Sequence, residues 1–217
     1  MNPMAAFGSH GLWAMRWATW LAIRQGDGVT VDTERDSWRR EFGSTEIYTY
    51  VLLFEASAVG LDCARNDPGK EFHHCLHSII SAAFGLEAYL NDLGGRVFSF
   101  WPNLRWLRTR DKLQVICTHL GFGPDFSQRP YQAFAQAFAA RDLAAHAETE
   151  TLKFDRGGAS REELPKREAS RLESECKLAK AERILEDAME LVRDIHKRAG
   201  IKFDPFMKVS HTSWTRM

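Results

Sequence analysis

The chain has 217 residues, 44% hydrophobic and 27% charged, an ordinary globular composition that excludes collagen-like, low-complexity and wholly disordered readings. Its 29 lysines and arginines oppose 29 aspartates and glutamates, so the net charge is zero and a nucleic-acid surface must be a local concentration of basic residues. The four cysteines, Cys63, Cys75, Cys117 and Cys176, form no C-x-x-C pair, which argues against a zinc ribbon or a disulfide framework and for a reducing cytosol.

Residues 11–23 are the most apolar early stretch, but they carry Arg16 and fall short of the roughly 20 residues a membrane span needs. A basic start and a small-residue cleavage site are also missing, so neither a signal peptide nor a membrane segment is expected and the protein reads as cytoplasmic. Trp13, Trp17 and Trp20 recur at helical spacing, while Trp13, Met15, Trp17, Leu21 and Ile23 follow an alternating pattern. Gly26-Asp27-Gly28 before Val29 and Val31 has the form of a hairpin turn. Residues 1–44 therefore read as an N-terminal extension, either a short β-hairpin or irregular.

A first helix is expected over 45–65, with Ile47, Tyr50, Val51, Phe54, Val59 and Leu61 at steps of three and four, stopped by Asn66-Asp67-Pro68-Gly69. A second runs from about Lys70 to Leu93 on a wide apolar face and is closed by Gly94-Gly95. Residues 96–110 read as a connector holding Phe98, Phe100, Trp101 and Trp106, followed by a shorter helix over Asp111 to Leu120. A fourth helix spans Pro130 to Glu150, with proline in its first turn. Residues 154–168 are polar and contain Gly157-Gly158 and Pro165, the marks of a surface loop. The last helix, about Lys166 to Ala199, carries a seam of Leu178, Ala181, Leu185, Ala188, Val192 and Ile195 and is capped by Gly200. The expected architecture is an all-α bundle of four to five helices over 45–199 with a basic tail over 200–217.

The string carrying the most chemistry is Ala139-Ala140-Arg141-Asp142-Leu143-Ala144-Ala145-His146, late in the fourth helix. Upstream, Glu87 and Asn91 place an acid and an amide one turn apart on the second helix. This ordered set resembles the HEPN superfamily, helical bundles with a polar or acidic residue on an early helix and an Arg-x4-6-His motif near the end of a later one. The resemblance covers roughly residues 45–199. It implies metal-independent endoribonuclease activity in toxin, antiphage or RNA-processing settings, with no cofactor. It further implies catalytic roles for Arg141 and His146, with Asp142, Glu87 and Asn91 beside them, and a homodimer whose motifs face each other. An antitoxin or a nucleotidyltransferase is the partner such a toxin would have. Some family toxins are silenced by nucleotidylation of a tyrosine two residues after the histidine; Glu148 stands there instead.

The residue types suit that chemistry without the family name. Cleavage through RNA's own 2′-hydroxyl needs proton transfer and a cation for the phosphorane, and histidine titrates near pH 6.5 while arginine stays charged and can grip phosphate oxygens. Five steps of an ideal helix put Arg141 and His146 about 140° apart, so one motif converges poorly on one phosphate and a two-fold pair of motifs relieves the problem. The alternative is a catalytically silent helical module that binds RNA or a protein partner, with Arg141 solvated or salt-bridged and His146 merely favouring the helix dipole.

Two other clusters compete. His73 and His77 stand one turn apart beside His74 and Cys75, but neither the glutamate of an H-E-x-x-H motif nor a third ligand accompanies them, which leaves zinc binding a weak alternative. Arg96, Arg105, Arg108, Arg110 and Lys112 oppose only Asp111, a net of +4 interleaved with Trp101 and Trp106. Arginines bind phosphates and indoles stack unpaired bases, so Arg105, Arg108, Arg110 and Trp106 are the candidate RNA contacts. No dinucleotide-binding glycine motif, P-loop or G-x-S-x-G elbow occurs.

Overall fold

A computed structural model describes residues 41–153, 167–207 and 210–216. The chain divides into two compact units, residues 44–213 and a second made of 1–43 with 214–217. The helices of the described residues all lie in the first. They are α1 (Thr49–Asn66), α2 (Glu71–Val97), α3 (Thr109–His119), α4 (Tyr131–His146), α5 (Arg171–Glu175) and α6 (Leu178–Arg198). A two-stranded antiparallel sheet pairs β1 (Glu41–Ile47) with β2 (Ser210–Arg216), and Thr45 and Thr212 share a hydroxyl hydrogen bond of 3.2 Å across it. The all-α class is therefore correct, with a small sheet whose strands lie at opposite ends of the sequence. The possible hairpin around Gly26-Asp27-Gly28 falls outside the described residues, as does most of the expected loop at 154–168.

The core sits between α1, α2, α4 and α6. Ile79, Leu86, Tyr89, Leu90 and Leu93 of α2 are buried against Phe54 and Leu61 of α1, Phe134 and Ala137 of α4, and Ile184, Leu191, Val192 and Ile195 of α6. Small residues set the closeness of the α1–α2 pair. Ser57 and Ser78 hydroxyls meet at 3.0 Å, and a Cβ on Gly85 would lie 3.0 Å from the Phe54 ring.

Four expected boundaries change. Residues 45–47, expected to open the first helix, belong to β1, so Ile47 is exposed on the sheet rather than on a helical seam, and α1 begins at Thr49. The fourth helix, expected to reach Glu150, ends at His146. Gly94-Gly95 does not close the second helix, because α2 continues to Val97. Gly94 instead lies against Trp101, whose indole occupies the space a side chain would need. The expected long helix from Lys166 is interrupted: α5 ends at Glu175, Cys176 turns into the interior at 1% exposure, and α6 begins at Leu178. Each piece has its own cap. Ser170 and Glu173 form a capping box on α5, while the Leu178 N–H donates to the Glu71 carboxylate, 3.3 Å away, at the start of α2. Gly200 does end α6, at φ of 75°, and Gly121 ends α3 in the same way at 82°, where a side chain would be strained.

Residues 201–207, the start of the expected basic tail, fold back onto the bundle. The Tyr50 hydroxyl donates to the Pro205 carbonyl at 2.9 Å, and Phe206 packs edge-on against Phe54. Burial and the nearby Asp92 push the Tyr50 hydroxyl up to about 12, so it remains a donor at any physiological pH.

Candidate functional site

Glu87, Lys112 and Arg141 join three helices. Lys112 lies on the buried stripe of α3 with Thr109, Leu113 and Ile116, and is itself 2% exposed. A lysine cannot be buried there as a charge without a counter-ion, and Glu87 on α2 supplies it, with Lys112 Nζ donating to Glu87 Oε1 at 3.1 Å. The other carboxylate oxygen, Oε2, faces Arg141 Nη1 of α4 at 3.6 Å. Arg141 also donates through Nε and Nη2 to Asp142 Oδ1, at 2.9 and 2.5 Å, and its guanidinium lies over the Phe138 ring, 4.8 Å from the centre. One carboxylate thus serves two cations, and a second carboxylate in solvent completes a cluster of zero net charge.

The two sequence features that lie on separate helices, the acid at Glu87 and the arginine of the Arg-x4-His string, therefore meet. Asp142 joins them through Arg141, whereas His146 and Asn91 do not. His146 is the last residue of α4, is exposed, and makes no hydrogen bond or ion pair among the described residues. Asn91, one turn beyond Glu87, keeps a buried Oδ1 with no hydrogen-bond partner among the described residues.

Lys112 is the member that the sequence reading misplaced, since it counts there toward a solvent-facing basic patch. Helical spacing carries the signal: Thr109, Lys112, Leu113 and Ile116 repeat at three and four, and a cation on that stripe needs an acid opposite. The rest of the patch divides. Trp101 is buried at 3% exposure and seals the end of α2, whereas Trp106 stands 93% exposed. Arg105 and Arg108 are exposed beside it, and Arg110 lies over the Phe126 ring at 4.4 Å. A free indole flanked by arginines can stack a base and hold its phosphates.

His73 and His77 are both exposed on α2, and no group of three or more His, Cys, Asp or Glu stands ready to hold a metal among the described residues. The four cysteines are free thiols. Burial pushes Cys75 and Cys176 up to about 11 and Cys117 to about 12, so these three stay protonated and serve the core rather than nucleophilic chemistry. No helix among the described residues is long and apolar enough to cross a membrane.

No protein-family model matches the chain, no curated protein matches it and no solved structure matches it.

Proposed function

We propose that this chain is a metal-independent endoribonuclease of HEPN type acting in the cytosol, with RNA as its substrate. The observation that carries the reading is the 3.6 Å approach of Glu87 to Arg141, which ties the acid of α2 to the motif of α4 and leaves His146 uncommitted at the helix end. In the proposed reaction the 2′-hydroxyl of one nucleotide attacks the adjacent phosphorus as it loses its proton. The bond to the 5′-oxygen breaks, that oxygen takes up a proton, and the products are a 2′,3′-cyclic phosphate and a free 5′-hydroxyl. Arg141 stabilises the charge on the phosphorane, and His146 moves one of the two protons. The second proton-transfer group comes from the His146 of another copy in a two-fold dimer. As a toxin or antiphage effector the enzyme would be held in check by an antitoxin or a nucleotidyltransferase partner, although Glu148 offers no tyrosine hydroxyl for nucleotidylation.

A catalytically silent module that binds RNA or a protein partner is the second reading. It is favoured by the engagement of Arg141 with both Glu87 and Asp142, an arrangement that also suits a purely structural arginine. Cleavage of RNA in EDTA separates the two. His146→Ala should lower single-turnover cleavage by about 10² to 10⁴ with RNA affinity and melting temperature nearly unchanged. Wild-type protein that binds RNA without cutting it would establish the silent module.

A further inference from the structure

The guanidinium of Arg141 makes three kinds of contact. Its face lies on Phe138, Nη1 faces Glu87, and Nε with Nη2 donates to Asp142. The Nε–Nη2 edge is the one that grips an oxyanion through two donors side by side. The two carboxylates on this arginine are held very differently. Glu87 is anchored, because its other oxygen neutralises the buried ammonium of Lys112, and withdrawing it would strand that charge away from water. Asp142 is the next residue in the chain, its side chain is 54% exposed, and Arg141 is its one ion-pair or hydrogen-bond partner among the described residues. A solvated pair of this kind is weak and easily exchanged.

We infer that the Nε–Nη2 edge of Arg141 is an exchangeable phosphate site, occupied by Asp142 in the free protein and by a non-bridging phosphate oxygen when ligand binds. Glu87 and Lys112 hold the arginine in place during the exchange. The inference takes RNA as the source of the phosphate from the functional reading above, while the site itself stands on geometry. It makes Asp142 a competitor of the ligand, so that removing its charge strengthens binding.

Inorganic phosphate is the first probe, read through the Nε–H resonance of Arg141 in ¹⁵N-labelled protein and assigned by its loss in Arg141→Gln. Phosphate should shift that resonance, and Asp142→Asn should saturate at a concentration about two- to five-fold lower, the fold-change of a solvated ion pair. An uncleavable 2′-O-methyl RNA oligonucleotide is the second probe. Asp142→Asn should bind it tighter by a similar factor, and the gain should vanish in an Arg141→Gln background, a cycle that subtracts the general effect of deleting a negative charge. An Arg141 resonance unmoved by phosphate, or an equal gain with and without Arg141, overturns the inference. A phosphate shift with the expected ranking, in a protein that neither binds nor cleaves RNA, keeps the exchange site and removes the nuclease reading.

Discussion

His196 shows how a single buried residue couples this fold to pH. It is 4% exposed near the end of α6, its Nδ1 lies 3.4 Å from the Tyr89 hydroxyl, and its Nε2 is buried with no partner among the described residues. Burial first, and Arg96 second, hold its pKa below the ordinary histidine value, against the opposing pull of Asp92 and Asp204. A histidine with a depressed folded pKa takes up its proton more readily when unfolded. Its contribution to stability is thus complete above the unfolded value of about 6.5 and is lost as the pH falls from there toward the folded value. Thermal melts between pH 7.5 and 5.5 should show a steeper loss for wild type than for His196→Gln, the difference in slope staying below about 1.4 kcal/mol per pH unit for one proton. Equal slopes would show that His196 does not titrate differently in the two states. The Glu87 and Lys112 pair follows the same logic without a proton: a buried charge is tolerated because its partner is fixed, and the partner is thereby fixed for Arg141 as well.

At the level of elements, the glycine pair at the end of α2 has two distinct jobs. A Cβ on Gly94 would lie 2.2 Å from Trp101 Cε2, whereas a Cβ on Gly95 would meet nothing within 4 Å. Gly94→Ala should therefore destabilise the protein by about 1–3 kcal/mol through overpacking, even though alanine is the better helix former. Gly95→Ala, exposed in the same helix, should stabilise it by up to about 1 kcal/mol. Denaturant melts of the two variants check the pair, and matching shifts in one direction would contradict the account. Helix propensity alone reads both glycines as a stop. The indole of Trp101, seven residues after Gly94, is what turns one of them into a packing requirement. The break between α5 and α6 has a similar origin, since burial of Cys176 and the cap from Glu71 are tertiary events laid over a sequence whose helical seam begins only at Leu178.

For the whole molecule, zero net charge makes the distribution of arginines decisive. Arg105, Arg108 and Arg110 with the exposed Trp106 stand immediately upstream of Lys112, the residue that anchors Glu87. If this patch holds the RNA backbone while Arg141 and His146 act on the scissile phosphate, replacing the three arginines with glutamine should weaken RNA binding. It should also flatten its salt dependence by about two units of slope, at about 0.7 for each phosphate contact to a single strand. Anisotropy titrations at several salt concentrations measure this, and an unaltered slope would remove the patch from the binding surface. The same protein should scatter light as a dimer at micromolar concentration if two motifs combine. A monomer that nevertheless cleaves RNA would mean that one copy of the motif suffices.

By itself the sequence determined the helical class, most of the core seams of α1 and α2 and the whole of that of α6, the glycine end of α6, and the candidate pair Glu87 and Arg141. Each of these is encoded locally, in periodicity, in turn chemistry or in residue type. Only the tertiary structure decided that Glu87 reaches Arg141 while Asn91 Oδ1 is left without a hydrogen-bond partner among the described residues, because contact between helices depends on their crossing and not on spacing within either one. It also decided that Lys112 turns inward and Trp106 outward. Both residues carry the patterns of a basic, aromatic patch, and the difference lies in which face of α3 the core covers, while Trp106 precedes that helix and stays 93% exposed. The return of residues 201–207 onto α1 was equally invisible along the chain, since Tyr50 and Pro205 are joined by one hydrogen bond across 155 positions of sequence.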